Sequence, residues 1–140
     1  MIELSAGAGK VTHTATSLSG TAANIVAVYA EDADNVDTIS GTSASTVLTV
    51  TDLTVAAGGA NGLNAVNALA TSVTSTATTI TGAYADVYVS LLANNSQEIE
   101  GNGSVGATEA GENLVGLDAV NVVLTESTSA QVNTIEALTT

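Results

Sequence analysis

No cysteine occurs in the 140 residues, so disulfides, thiolate metal sites and thiol nucleophiles are excluded. Phenylalanine and tryptophan are absent as well, and three tyrosines are the only aromatics. A core without large rings must be filled by Ala, Val, Leu and Ile, which suits thin, regular layers better than a wide globular centre. Cations are nearly missing: Lys10 stands alone against fourteen carboxylates, for a net charge of −13. No basic patch exists to displace phosphate counterions or to meet anionic lipid, which excludes nucleic-acid binding and polybasic membrane attraction. No apolar run approaches the roughly 20 residues of a membrane-spanning helix, so no membrane insertion is expected. Met1-Ile2-Glu3-Leu4-Ser5 contains neither a basic nor an apolar signal-peptide region, and a mature chain or an excised piece is expected.

What the chain does have is repetition. Ala15-Thr16-Ser17-Leu18-Ser19-Gly20 returns as Ala77-Thr78-Thr79-Ile80-Thr81-Gly82, 62 positions later. Val50-Thr51-Asp52-Leu53 is echoed by Leu124-Thr125-Glu126-Ser127, and Leu63-Asn64-Ala65-Val66 by Val132-Asn133-Thr134-Ile135. Self-similarity on this scale is the mark of stacked, quasi-one-dimensional architectures. Apolar residues make up 45% of the chain, and their regular spacing argues for folding over disorder.

Two textures alternate. Residues 11–16 read as a strand, with Thr on one parity, and Gly20 ends that run. Residues 21–30 read as a helix, with Ile25, Val28 and Tyr29 at helical spacing and Ser19 or Thr21 as cap. Residues 31–35 read as a loop, 36–41 as a short strand and 46–51 as a firmer one. Asp52 or Thr54 is expected to cap a helix carrying Leu63, Val66, Ala68 and Leu69. The order then recurs: strand 73–81, helix 84–93, short strand 98–100, loop 107–116, strand 120–124, and helix 128–138 capped by Ser127 or Thr128.

Strands and helices in alternation imply parallel strands joined by crossovers. The expected fold is α/β: a right-handed solenoid of short parallel strands and short helices. It comprises two imperfect copies of a repeat of about 62 residues, with residues 1–10 as a lead-in, 11–72 as the first copy and 73–140 as the second. An open, doubly wound α/β sheet and an all-β solenoid are the alternatives. The doubly wound sheet fits less well, since its buried middle strands would read as continuous apolar runs and these carry Thr at alternate places.

Few residues suggest chemistry. The Thr runs Thr12-x-Thr14-x-Thr16, Thr74-x-Thr76-x-Thr78 and Thr49-x-Thr51 would place hydroxyls on one face, an array able to order water or simply a polar strand face. Asp32, Asp34 and Asp37, beside Glu31, resemble half of a calcium loop, but the glycine and downstream bidentate Glu of such loops are missing. The plainer reading is a solvated acidic loop, with no cofactor and calcium as the one candidate ion. His13 is the sole imidazole, so a transition-metal site is not expected, and no Gly-x-Ser-x-Gly elbow accompanies it. Ser5-Ala6-Gly7-Ala8-Gly9-Lys10 falls short of a phosphate loop, with Val11 where a hydroxyl would hold magnesium. Asn94-Asn95-Ser96 and Asn102-Gly103-Ser104 are glycosylation sequons. The chain is expected not to be an enzyme.

Ser19-Gly20-Thr21-Ala22-Ala23-Asn24-Ile25 and Val50-Thr51-Asp52-Leu53-Thr54-Val55-Ala56 resemble the short repeats of very large bacterial surface proteins, cyanobacterial ones especially. The resemblance covers most of residues 11–140. It implies a secreted or cell-surface location and an adhesive or structural role, and it brings no catalytic residues.

The two ends look complementary. The last helix, with Val132, Ile135 and Leu138, matches the internal helix that leads into strand 73–81, and Val11, Thr12 and Thr14 begin a matching strand. The expectation is therefore homo-oligomeric, head-to-tail assembly into an extracellular filament or surface array. The alternative function is a repeat module of a large surface adhesin that binds calcium, a glycan or ice.

Overall fold

The computed structural model describes residues 11–12, 14–33, 39–40, 47–96 and 114–139. Among them the chain runs β1 (Val11–Thr12), β2 (Ser17–Gly20), α1 (Ala22–Ala33), β3 (Ile39–Ser40), β4 (Val47–Val50) and β5 (Thr54–Ala56). It continues through α2 (Leu63–Asn67), β6 (Ser72–Ser75), β7 (Thr79–Ala83), α3 (Tyr84–Ser96), β8 (Leu114–Val115), β9 (Asn121–Glu126) and α4 (Ser129–Glu136). The expected strand at 98–100, the lead-in at 1–10 and most of the loop at 107–116 lie outside the described residues.

Every strand pairing among the described residues is parallel. A large sheet has the order β2-β4-β6-β8, a small sheet the order β5-β7-β9, and β1 pairs with β3 alone. Mixed α/β with parallel strands is thus the fold class. The described strands divide among separate sheets and do not join in a single doubly wound one, and the four helices rule out an all-β chain.

Period-two alternation builds the core. In the large sheet Leu18, Leu48, Val73 and Leu114 stand in register along one inward row, and the last three are fully buried. In the small sheet Val55, Ile80 and Val122 form the corresponding row. Ile25 of α1, Leu63 and Val66 of α2, and Val87 and Leu91 of α3 close the core from the helical side.

Three expectations require correction. The run at 73–81 is two strands in different sheets, because the chain turns a corner at residues 76–78. Thr76 Oγ1 donates to the Val50 carbonyl at 3.2 Å and Thr78 Oγ1 to that of Leu53 at 3.1 Å, fixing the corner to the one beneath it. Thr54 belongs to strand β5 and does not cap a helix. Asp52 does cap one, but it is α1: its Oδ2 accepts from the Ala22 N–H at 2.7 Å, beside the local Thr21 cap on Asn24. Helix α2 starts behind Gly62 with no side-chain cap.

The 62-residue echo is real as local structure and misleading as architecture. Ser17–Gly20 and its echo at 79–82 each precede a helix, yet β2 lies in the large sheet and β7 in the small one. The sheets advance by other steps, visible in the series Leu18, Leu48, Val73, Leu114.

Candidate functional surface

The outward faces of the two sheets are built from the residues that alternate with the core rows. Ser19, Thr49, Thr74 and Val115 form one row of the large sheet, and Ser17, Val47 and Ser72 a second. Thr54, Thr79 and Asn121 form a row of the small sheet, followed by Ala56, Thr81 and Val123. These positions carry hydroxyl, amide and aliphatic groups. The described carboxylates sit on helices, turns and strand ends; within a strand, only Glu126 at the close of β9 is acidic. Neighbouring rungs in such a sheet lie about 4.8 Å apart, so the hydroxyls of Thr49 and Thr74 form a short regular array.

The Thr runs read from the sequence are only partly this array. Thr49 and Thr74 are paired in it. Thr76 and Thr78 turn into the corner hydrogen bonds described above, and Thr14, Thr16 and Thr51 stand outside the strands. Thr12 lies in β1, whose side chains are not among those described.

Of the calcium candidates, Asp32 lies on the last turn of α1, while Asp34 and Asp37 lie outside the described residues, as do His13 and Lys10. Among the described residues no group of three or more His, Cys, Asp or Glu side chains converges on a metal-sized site.

A buried polar network joins the helical layer, and sequence reasoning missed it. Ser90 Oγ donates to Asn64 Oδ1 at 2.6 Å, and Asn64 Nδ2 donates to the Asp86 carbonyl at 3.0 Å, tying α2 to α3. One turn further along α3, Asn94 Nδ2 donates to Asp118 Oδ1 at 2.7 Å, and its Oδ1 accepts from the Leu117 N–H at 2.9 Å. Asn94 is 2% exposed. Its amide nitrogen is enclosed and committed, so the folded chain cannot carry a glycan on this sequon. The second sequon, at Asn102, lies outside the described residues. The missed signal was the spacing: Val87, Ser90, Leu91 and Asn94 share one helical face, which places the two polar residues on the core side.

The expected assembly residues of the two ends differ in exposure where their burial is described. Ile135 is 4% exposed and belongs to the chain's own core, and Leu138 packs partly against that core. Val132 is exposed on α4 and Thr14 is exposed behind β2. Val11 and Thr12 pair with Ile39 and Ser40.

The class defined by these features is a mixed α/β chain with stacked parallel strands whose described sheet faces carry a single charged residue, Glu126. No protein-family model, curated protein or solved structure matches the chain. No helix among the described residues is long and apolar enough to cross a membrane.

Proposed function

We propose that the protein is a non-enzymatic structural subunit, built as a solenoid, that self-assembles into an extracellular filament or surface array. One observation carries the reading. Strands from successive stretches of chain stack in parallel register in both main sheets, and among the described residues each of those sheets ends in an edge strand with one described neighbour. A quasi-one-dimensional stack of this kind can be extended by another copy where a closed globule cannot. The sparsely charged strand faces and edges, with Glu126 their one described carboxylate, are consistent with it, because they let copies of a chain of net charge −13 approach with little repulsion at the contact. The extracellular setting rests on the resemblance to bacterial surface repeats.

The head-to-tail contact read from the sequence loses one of its supports, since Ile135 is enclosed within its own chain. Assembly itself is tested by electron microscopy and sedimentation of the purified protein across salt concentrations. Concentration-dependent fibres or sheets would support the reading, and a single monomeric species under all conditions would sink it. The adhesin-module alternative draws on the Ser19–Thr49–Thr74 row; ice shaping or retention on a glycan array by a monomer would favour it.

A further inference from the structure

We propose that β9 is a pairing edge, through which two copies of this chain join as antiparallel strands across a two-fold axis at Val123. The inference rests on the self-association reading above only in requiring that copies meet.

The four edges of the main sheets are not equivalent. Strands β2 and β8 bound the large sheet with four and two residues, and β5 and β9 bound the small sheet with three and six. The longest, β9, reads Asn-Val-Val-Leu-Thr-Glu and carries none of the Lys, Pro or Gly that usually protects an edge. Val123 is 50% exposed on its outer face. Val122 and Leu124, on the inner face, are only half-buried, although Val55 and Ile80 in the same row as Val122 are fully covered.

Strand parity selects the partner register. The Asn121 N–H donates to the Thr78 carbonyl, so Asn121 and Val123 direct their backbone groups to β7, while Val122 and Leu124 direct theirs to the open edge. Two antiparallel copies can bond only where outward-directed residues face each other. Placing Val122 opposite Leu124 of the second copy satisfies this twice and sets Val123 opposite itself as the close, non-hydrogen-bonded pair. An axis at Val122 would need the Val120 N–H, which already donates to the Leu117 carbonyl. An axis at Leu124 would draw in the register shift that follows Gly82 and Leu124. With the axis at Val123 every central cross-strand pair is aliphatic, and the two Glu126 carboxylates lie at opposite ends of the ladder, away from each other. The other edge of the small sheet, Thr54–Ala56, offers half the length for a head-to-tail match.

The chain has no cysteine, so a single introduced thiol reports the contact cleanly. In the proposed pair the Val123 Cα atoms stand about 4.5 Å apart, within the span a disulfide bridges. Val123→Cys should therefore convert almost fully to a covalent dimer under mild oxidation, far faster than Leu53→Cys, which is 70% exposed on a corner between β4 and β5. Val123→Lys should shift the unmodified dimer towards monomer in sedimentation velocity, with circular dichroism confirming that it stays folded. Equal, slow cross-linking of the two cysteine variants would overturn the contact. Large assemblies with no Val123→Cys advantage would do so while leaving the assembly reading intact. A rapid Val123→Cys dimer with nothing larger at any concentration would uphold the contact and remove the filament reading.

Discussion

Helices α3 and α4 each follow a strand of the small sheet, yet different interactions hold them. Helix α3 buries Val87, Ser90, Leu91, Ala93 and Asn94, and its polar groups are answered by other elements: Asn64 from α2, Asp118 and the Leu117 N–H from the turn before β9. Helix α4 buries only Ile135 and satisfies its first turn by itself. Thr128 Oγ1 accepts from the Gln131 N–H, while Gln131 Oε1 accepts from the Thr128 N–H, a reciprocal capping box. Helix α1 is intermediate, capped locally by Thr21 and from a distance by Asp52. Where another stretch of chain is stacked alongside, this fold secures helices through long-range polar contacts. At α4, with no further strand described after it, the fold relies on local chemistry.

The largest expected effect tests whether burial follows that division. Leu91→Ala should cost about 3–5 kcal/mol, because its cavity is walled on all sides. Ile135→Ala, at the looser end, should cost about 2 kcal/mol, since partly exposed neighbours can collapse into the space. Urea denaturation of both variants measures the gap, and equal costs would erase the distinction between the two helices.

Next in size is the polar network. Asn94→Ala leaves the buried Leu117 N–H and the Asp118 carboxylate without their partner, a loss of about 1–3 kcal/mol. Its companion test is at Ser90: Ser90→Ala removes one donor while Asn64 keeps its bond to the Asp86 carbonyl, so the cost should be smaller. A Ser90→Ala penalty above that of Asn94→Ala would move the network's centre from the α3–β9 turn to the α2–α3 seam.

Much of this is legible in the sequence. The stripe Leu63-Val66, the alternation in Val47–Val50 and the cap at Thr128 all follow local rules and are found where those rules place them. What escaped was decided between segments. Asp52 looks like a cap and is one, but nothing along the chain says that it serves a helix that begins 30 residues earlier. The corner at 76–78 lacks glycine and proline, the usual punctuation. Threonine hydroxyls anchor it to the carbonyls of Val50 and Leu53, so two strands read as one. Asn94 reads as a polar helix end because its burial depends on Leu117 and Asp118 arriving from elsewhere. The repeat misled for the same reason: it preserves strand-glycine-helix locally, while sheet membership is set by pairing.

The smallest effect tests the self-sufficiency of α4. Thr128→Ala should cost about 1 kcal/mol, the ordinary value of a lost N-cap. The loss should concentrate in α4 as faster hydrogen exchange at residues 129–132, with the amides of α3 unchanged. Asp52→Ala provides the contrast. Thr21 still caps α1 when Asp52 is removed, so the first turn of α1 should keep most of its protection, while the turn after β4 loosens instead. A helix with one local cap should fray when that cap goes, and a helix capped twice should not. If Thr128→Ala also loosened α3, then α4 would be coupled to the stack after all, and as cooperative with it as α3 is.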